Sequence, residues 1–462
     1  MKIKENFMAT RVAIIGAGPG GYPAALKLHE LGAEVTLVEA RDMGGTCLNR
    51  GCIPSKAFLN VGHRVHLFEG LYPLMKENSG LNFNTEMLEW GKITAKRAAV
   101  SAKIRTSLEG LFKRQKIEVI RGFAKFSGKN EISVQTESGE IRKEFDYAIL
   151  ASGTKPSFPP PFNGCMDLIT DSDRIFDLPE KPEKIIIVGS GVIGLEFACF
   201  FNSIGTDVTI LEIMPDMLPA EDPQVRRAIR SSFEKRGIRF LFGRKTESVK
   251  ADGKIKTLKL DDGTELQADT IHVGAGRTAD LSGMGLETIG LEWNRKGVKT
   301  DLEMRTAIQN IYAVGDVNGL SLLAHSATKQ GEIVAENIMK GTHKQFDGNL
   351  VPKCIYAWPE SASVGLNKAA ADAQGIPAKT ARAFHLGIGR AVASDETEGF
   401  VQIVWNPEND VLLGAQIVGG PATELIHVMA LAVKLGLTRE QLKDMIFAHP
   451  TMAEALHEAL SK

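Results

Sequence analysis

Cys47 and Cys52 stand five positions apart in the stretch Gly44 to Lys56, GGTCLNRGCIPSK. Two thiols at that spacing can exchange electrons through a disulfide, provided the chain between them bends. A regular helix over 47–52 would separate them axially by about 7.5 Å, beyond the roughly 6.8 Å limit for disulfide-linked Cα atoms. Full extension gives about 17 Å. The spacing therefore predicts a bent, irregular segment, and Gly44, Gly45, Asn49 and Gly51 supply the permissive backbone. Pro54 suits a first helical turn, which places Cys52 at a helix N-terminus, where the macrodipole favours a thiolate. A buried structural pair fits the same spacing equally well. Near the other end, His449-Pro450-Thr451 precedes Glu454. A His and a Glu so placed suit a general base and its orienter; a lone surface imidazole is the bland alternative.

The totals narrow the setting. At 462 residues the chain exceeds one core and predicts about three domains. With 43% hydrophobic and 24% charged residues it has the composition of a globular enzyme. A net charge of −1 removes the electrostatic case for nucleic acid or anionic lipid partners. MKIKENFMAT lacks an apolar signal region, and no run nears the roughly 18 apolar residues of a membrane span, so a cytoplasmic location is expected. Five cysteines (47, 52, 165, 199 and 354) do not form a secreted disulfide framework. In a reducing compartment the close pair is better suited to redox work than to structure.

Two copies of one unit must position these groups. Arg11 to Ile15 is an apolar strand that feeds Gly16-Ala-Gly18-Pro-Gly-Gly21, then a helix through Leu28, then a strand Glu34 to Val38 ending at Glu39. Such glycines permit a tight turn and close approach of a pyrophosphate to a helix N-terminus, and the acid can take ribose hydroxyls. The pattern returns as Lys184 to Val188, Gly189-Ser-Gly191-Val-Ile-Gly194, a helix Leu195 to Ile204, and a strand Asp207 to Leu211 ending at Glu212. In both copies the acid follows the first glycine by 23 residues (39 − 16 and 212 − 189). Two such units imply two dinucleotides, and one flavin with one nicotinamide, held so that a hydride can pass between them, is an arrangement that suits the pattern.

The remaining segments support this frame. Ala57 to Leu111 reads as mostly helical, and Ile117 to Ile141 as short antiparallel strands. Tyr147 to Leu150 is a buried strand running into Ala151-Ser152-Gly153, and Pro156 and Pro159 to Pro161 mark a boundary. Thr270 to Val273 leads into Gly274-Ala-Gly276-Arg277. Asn310 to Val314 ends at Gly315-Asp316, and a helix spans Ala324 to Met339. Asp316 suits either a sugar hydroxyl or a local cap. From about Gly348 the character changes: strands at Glu398 to Trp405 and Val411 to Val418, then helices at Ala422 to Leu435 and Thr438 to Met445.

The two-cysteine segment, the repeated glycine turns, Gly315-Asp316 and His449-Pro-Thr-x2-Glu454 together resemble the flavin-dependent pyridine nucleotide-disulfide oxidoreductases. Within that family they are most similar to the members that oxidise dihydrolipoyl groups. The resemblance covers Arg11 to Leu460 and implies an α/β chain with two Rossmann-like domains. FAD would occupy 1–155 with 280–347, NAD 156–279, and an α+β dimerisation domain 348–462. It implies that Cys47 meets the substrate while Cys52 faces the flavin, with Lys56 paired to Glu196 near the ring. FAD would be held by Gly16, Gly18, Gly21, Glu39, Thr46, Lys56, Ala124, Ser152, Gly153, Asp316 and the Ala324-His325 turn. NAD would be held by Gly189, Gly191, Gly194, Glu212 and Gly276. His449, oriented by Glu454, would come from the second subunit of a homodimer, with a cis bond before Pro450. Lipoyl domains and the core subunit of a 2-oxo acid dehydrogenase or glycine-cleavage complex would be the partners, with no metal, nucleic acid or membrane.

Glu212 favours NAD, because a carboxylate bonds a 2′-hydroxyl and repels a 2′-phosphate, and no Arg or Lys occurs from Ile213 to Ala220. Four places depart from the family pattern. Arg50 replaces a small apolar residue, Gln330 a Glu and Ala357 a Thr, and Gly387-Ile-Gly389-Arg390 lacks an Asn. Arg50, inside the cysteine loop, could alter what approaches Cys47. The runner-up is an NAD(P)H-dependent reductase of glutathione or another small disulfide; a redox-silent flavoprotein subunit is the alternative from another class.

Overall fold

The computed structural model describes residues 9–71, 74–75 and 84–462. Among them no helix is long and apolar enough to cross a membrane. The chain forms two compact units, the first from Met1–Pro54, Ala95–Ser157 and Gly276–Gly348, the second from Ser55–Thr94, Phe158–Ala275 and Asn349–Lys462.

The first unit is built on a five-stranded parallel sheet, in the order Ile311–Ala313, Tyr147–Leu150, Arg11–Ile15, Glu34–Glu39, Glu118–Arg121. Its central strands are continuous apolar runs because both faces of a parallel sheet are covered. Val12, Ile14, Leu37, Ile149 and Leu150 are all buried. A three-stranded antiparallel sheet, Phe123–Gly128, Glu131–Thr136 and Gly139–Glu144, closes the same core through Phe126, Ile132, Val134 and Phe145. The antiparallel reading of 117–141 thus holds from Phe123 onward, while Glu118–Arg121 is the edge of the parallel sheet. Its direction is set by the long helix Trp90–Gln115 that delivers it, a crossover that periodicity inside the strand does not reveal.

The second unit repeats the parallel arrangement with four strands: Arg239–Phe242, Asp207–Glu212, Lys184–Val188 and Thr270–Val273. A second antiparallel triplet, Thr246–Asp252, Ile255–Leu260 and Glu265–Ala268, again accompanies it. Stacked aromatics fill one core of this unit, Phe58 lying 4.5 Å from Phe200 and 5.4 Å from Phe176 between ring centroids. The C-terminal part is a five-stranded antiparallel sheet, with Phe400–Trp405 paired to Leu412–Val418, the two strands expected from the sequence. The helices Ala422–Leu435 and Glu454–Leu460 pack on it. The fold class is therefore α/β with two Rossmann-like sheets and a C-terminal α+β part.

Candidate functional site

The first glycine turn is compact because side chains have no room in it. Gly16 has φ +105°, and a Cβ there would lie 2.4 Å from the carbonyl oxygen of Ala151; one on Gly21 would lie 1.8 Å from that of Gly16. Glycine alone allows the helix Gly21–Glu30 to start this close to the strand. Buried Glu39 reaches back to the turn, its two carboxylate oxygens accepting from the N–H groups of Ala17 and Arg41, each at 2.7 Å. The Gly122 N–H donates to the Glu39 carbonyl, so Ala124 lies on the strand just beyond the acid.

The cysteine segment docks on this turn. Gly44 has φ +89° and donates its N–H to the Ala17 carbonyl at 2.9 Å; a Cβ on Gly45 would stand 2.7 Å from the Gly18 Cα. Instead of an irregular stretch, Gly45–Arg50 forms a short helix holding Thr46 and Cys47, and Gly51 breaks it with φ −144° and ψ −113°. Cys52 then opens the 18-residue helix Cys52–Glu69. The bend that the spacing demands is concentrated at Gly51, where a Cβ would come within 3.1 Å of the Thr46 carbonyl oxygen and 3.3 Å of the Cys47 Cα. Both cysteines are partly exposed, which removes the buried-pair alternative.

Further along the first unit, Asp316 accepts from the Thr154 hydroxyl at 2.9 Å, and Arg277 fixes Thr154 through its hydroxyl at 3.0 Å and its carbonyl at 2.7 Å. Burial raises the Asp316 carboxyl, an effect opposed by the Thr154 bond and the Arg277 charge. Exposed Ser152 and half-buried Gly153, the latter at φ +71°, lead into Thr154, and Ala324 begins the helix Ala324–Lys340. Gln330 on that helix is buried and accepts from the Gly315 N–H at 2.7 Å. The structure adds Thr154 and Arg277 to the carboxylate's surroundings; the Gly-Ala-Gly-Arg run was the available signal.

In the second unit Lys56 donates to both oxygens of Glu196 at 2.9 and 2.8 Å, and the Tyr356 N–H donates to the same carboxylate at 3.1 Å. The Lys56 ammonium also lies 4.4 Å over the Tyr356 ring. Burial pushes the Tyr356 hydroxyl up to about 12, keeping the ring neutral beneath the cation. Tyr356 carries no motif and only the fold brings it here.

The second glycine turn has the first one's geometry. Gly189 has φ +107°, with a Cβ there 2.6 Å from the Gly274 oxygen, and one on Gly194 would lie 2.1 Å from the Gly189 oxygen. Glu212 accepts from the Ser190 N–H and hydroxyl, both at 2.8 Å, and from the Met214 N–H at 2.9 Å. A Cβ on Gly191 or Gly276 would meet no described atom within 4 Å, so each has open space on its side-chain face. Both turns thus offer a narrow glycine cradle with a carboxylate aimed at it, which fits a dinucleotide.

His449 and Glu454 are also brought together. Nδ1 of the imidazole lies 2.9 Å from one Glu454 oxygen, while the other accepts from the Thr451 N–H at 2.9 Å. The His449 bond holds the Glu454 carboxyl below its ordinary range. The His449–Pro450 bond is cis, and the imidazole is 78% exposed. Cys47 and Cys52 belong to the first unit, and this pair to the second.

Comparisons with known proteins agree with this geometry. Residues 10–331 match the family described as pyridine nucleotide-disulphide oxidoreductase, and residues 351–460 match its dimerisation domain. A dihydrolipoyl dehydrogenase of Chlorobaculum parvum is 37% identical over 455 residues, covering 97% of this chain and 96% of the relative. Another, from Chlamydia muridarum, is 36% identical over 449 residues, covering 96% and 95%. Among solved structures, LpdA from Mycobacterium tuberculosis superposes with a TM-score of 0.91 at 26% identity, covering 98% of this chain and 99% of its own.

Proposed function

The chain belongs to the pyridine nucleotide-disulphide oxidoreductase family, and from that premise we propose that it oxidises dihydrolipoyl groups to the lipoyl disulfide while reducing NAD. One observation carries the reading: the two-cysteine segment is seated on the first glycine turn, Gly45 against Gly18, fixing a thiol pair beside a dinucleotide cradle. FAD is the group for that cradle, held by Gly16, Gly18, Gly21, Glu39, Thr46, Ala124, Ser152, Gly153, Asp316 and Ala324, with Lys56 toward its ring. NAD falls to Gly189, Gly191, Gly194, Glu212 and Gly276. In this reading 1–155 with 280–347 serve FAD, 156–279 serve NAD, and 348–462 make the dimer. Bound FAD supplies the two-electron link between dithiol and NAD.

The chain's own residues do the proton and sulfur chemistry. His449, steadied by Glu454, takes the proton from one substrate thiol. The thiolate attacks Sγ of Cys47, breaking its bond to Cys52 and releasing Cys52 as a thiolate. The first residue of a long helix suits that charge. The imidazolium then gives its proton to Cys47, and the freed imidazole takes the proton of the second substrate thiol as that sulfur attacks the substrate sulfur in the mixed disulfide and the lipoyl disulfide leaves. Cys47 ends as a thiol, Cys52 as a thiolate and His449 protonated.

We place His449 of one copy over Cys47 of another in a homodimer. Support comes from the exposed imidazole and from apolar side chains left bare in the C-terminal part, among them Leu386, Leu435 and Ile446. A reducing cytoplasm, and lipoyl domains on the core subunit of a 2-oxo acid dehydrogenase or glycine-cleavage complex, fit the same chemistry. Parallel assays of dihydrolipoamide with NAD and of glutathione disulfide with NADPH test the reading. The first pair should turn over at least about a hundredfold more efficiently, and Cys47→Ser should abolish it. Preference for glutathione disulfide, or full activity without Cys47, would overturn it.

A further inference from the structure

The loop carrying Cys47 and Cys52 is tied down by contacts that use neither sulfur. Arg50, which stands between the cysteines, places Nη1 2.7 Å from an Asp42 carboxylate oxygen. Arg105, on the helix Trp90–Gln115, lies 3.8 Å from the other Asp42 oxygen and donates to the Asn49 side-chain oxygen at 2.9 Å. Buried Asn49 spends its amide on the carbonyls of Met43, at 3.0 Å, and Gly45, at 2.9 Å. The Arg50 hydrogen bond, more than the charges of Arg50, Arg105 and Arg41, holds the Asp42 carboxyl below its ordinary range against the effect of burial. The Arg50 side chain is only 18% exposed and its guanidinium braces the loop against Asp42.

We propose that Arg50, Asn49, Asp42 and Arg105 are positioning residues that keep the Cys47 and Cys52 thiols within bonding reach after the disulfide is reduced. The inference rests on the reading above, in which the two cysteines form a redox disulfide. With the sulfurs joined, a covalent ring closes the loop. After two electrons arrive and the S–S bond is broken, only noncovalent contacts oppose opening, the clamp among them. A preclosed loop has already lost the conformational freedom that closure would remove, so the effective concentration of one thiol at the other stays high.

Glutathione exchange measures that quantity. The protein dithiol and glutathione disulfide give the protein disulfide and two glutathione thiols, a balanced two-electron exchange whose equilibrium constant has units of concentration. The holoenzyme, without NAD, is equilibrated anaerobically at fixed pH across glutathione ratios, quenched by alkylation, and the peptide containing Cys47 and Cys52 is weighed. Arg50→Met and Asp42→Asn each remove a charge-assisted bond, and Arg105→Met reaches the clamp from the helix side. Each should lower the effective concentration about tenfold, which corresponds to about 30 mV toward easier reduction. Constants within twofold of wild type in all three variants would overturn the clamp. So would an equal loss of thermal stability in oxidised and reduced forms with no change in the constant. A wild-type peptide that never forms the disulfide would instead overturn the redox reading itself.

Discussion

The two glycine turns share a backbone but differ in what lies against them. In the first, Gly45 of the cysteine segment closes over Gly18, and Glu39 is buried. In the second, Gly191 is exposed and a Cβ on it would meet no described atom within 4 Å, and Val192, Ile213 and Met214 present bare apolar side chains nearby in sequence. A covered cradle suits a group that stays through many turnovers, and an open one suits a group that arrives and leaves. In the proposed assignment the same supersecondary unit serves a resident and an exchanging dinucleotide, with the packing around the turn as the distinguishing feature.

The most severe way to break the comparison is to fill each cradle. A Cβ at Gly21 or Gly194 would meet backbone oxygen at 1.8 or 2.1 Å, and neither neighbour is a flexible side chain. Gly21→Ala and Gly194→Ala should each cost on the order of 5 kcal/mol locally. Gly21→Ala should lose bound flavin, read from absorbance after purification. Gly194→Ala should keep it while NADH binding, read by titration, disappears. Loss of flavin from both would show that the two turns are not separable.

Next in size is the second acid. A carboxylate within about 4 Å of a 2′-phosphate costs about 4 kcal/mol at an effective dielectric near 20. Glu212→Gln should therefore cut the preference for NAD over NADP by a factor on the order of a hundred to a thousand. Steady-state efficiencies with both nucleotides check this, and an unchanged ratio would remove Glu212 from selectivity.

Much of this frame is legible in the sequence because local chemistry repeats. A tight turn demands glycines, a covered parallel strand demands an apolar run, and the 23-residue interval carries the acid back to the turn in both copies. What escapes is what tertiary contact decides. The Gly45–Arg50 helix needs Gly51 packed on its own first turn, the direction of Glu118–Arg121 needs the preceding helix, and Tyr356 reaches Lys56 only through the fold. His272 is a further case: the run Thr270 to Val273 is readable as a buried strand, but nothing local signals the state of its imidazole.

Register makes His272 the counterpart of Ile149. His272 pairs with Ile187 and Ile149 with Ile14, each strand partner lying two residues before the first glycine. Where the first unit has a hydrocarbon, the second buries an imidazole whose two ring nitrogens have no hydrogen-bond partner among the described residues. Burial lowers its pKa from 6.5 to about 4. The unfolded chain therefore binds a proton below pH 6.5 that the folded chain refuses until about pH 4. Stability is fully present above 6.5 and falls as pH drops between those values, by about 3 kcal/mol in all. His272→Leu should flatten that part of the denaturant midpoint against pH. Ile149→Leu, its control in the first unit, should leave the slope as it was.

The smallest effect sharpens the comparison most. Ala17 and Ser190 occupy the same place after the first glycine, and both donate an N–H to the acid; Ser190 adds its hydroxyl. A carboxylate offers about four acceptor positions. Among the described residues Glu39 has two taken, by Ala17 and Arg41, leaving two for the hydroxyls of a ribose. Glu212 has three taken, by the Ser190 N–H and hydroxyl and by Met214, leaving one. In the proposed assignment, the exchanging nucleotide would thus find fewer open acceptors for its sugar than the resident one. Ser190→Ala should free an acceptor and tighten NADH by about 1 kcal/mol, roughly fivefold in the dissociation constant. Weaker binding would mean that the hydroxyl orients Glu212 instead of occupying it.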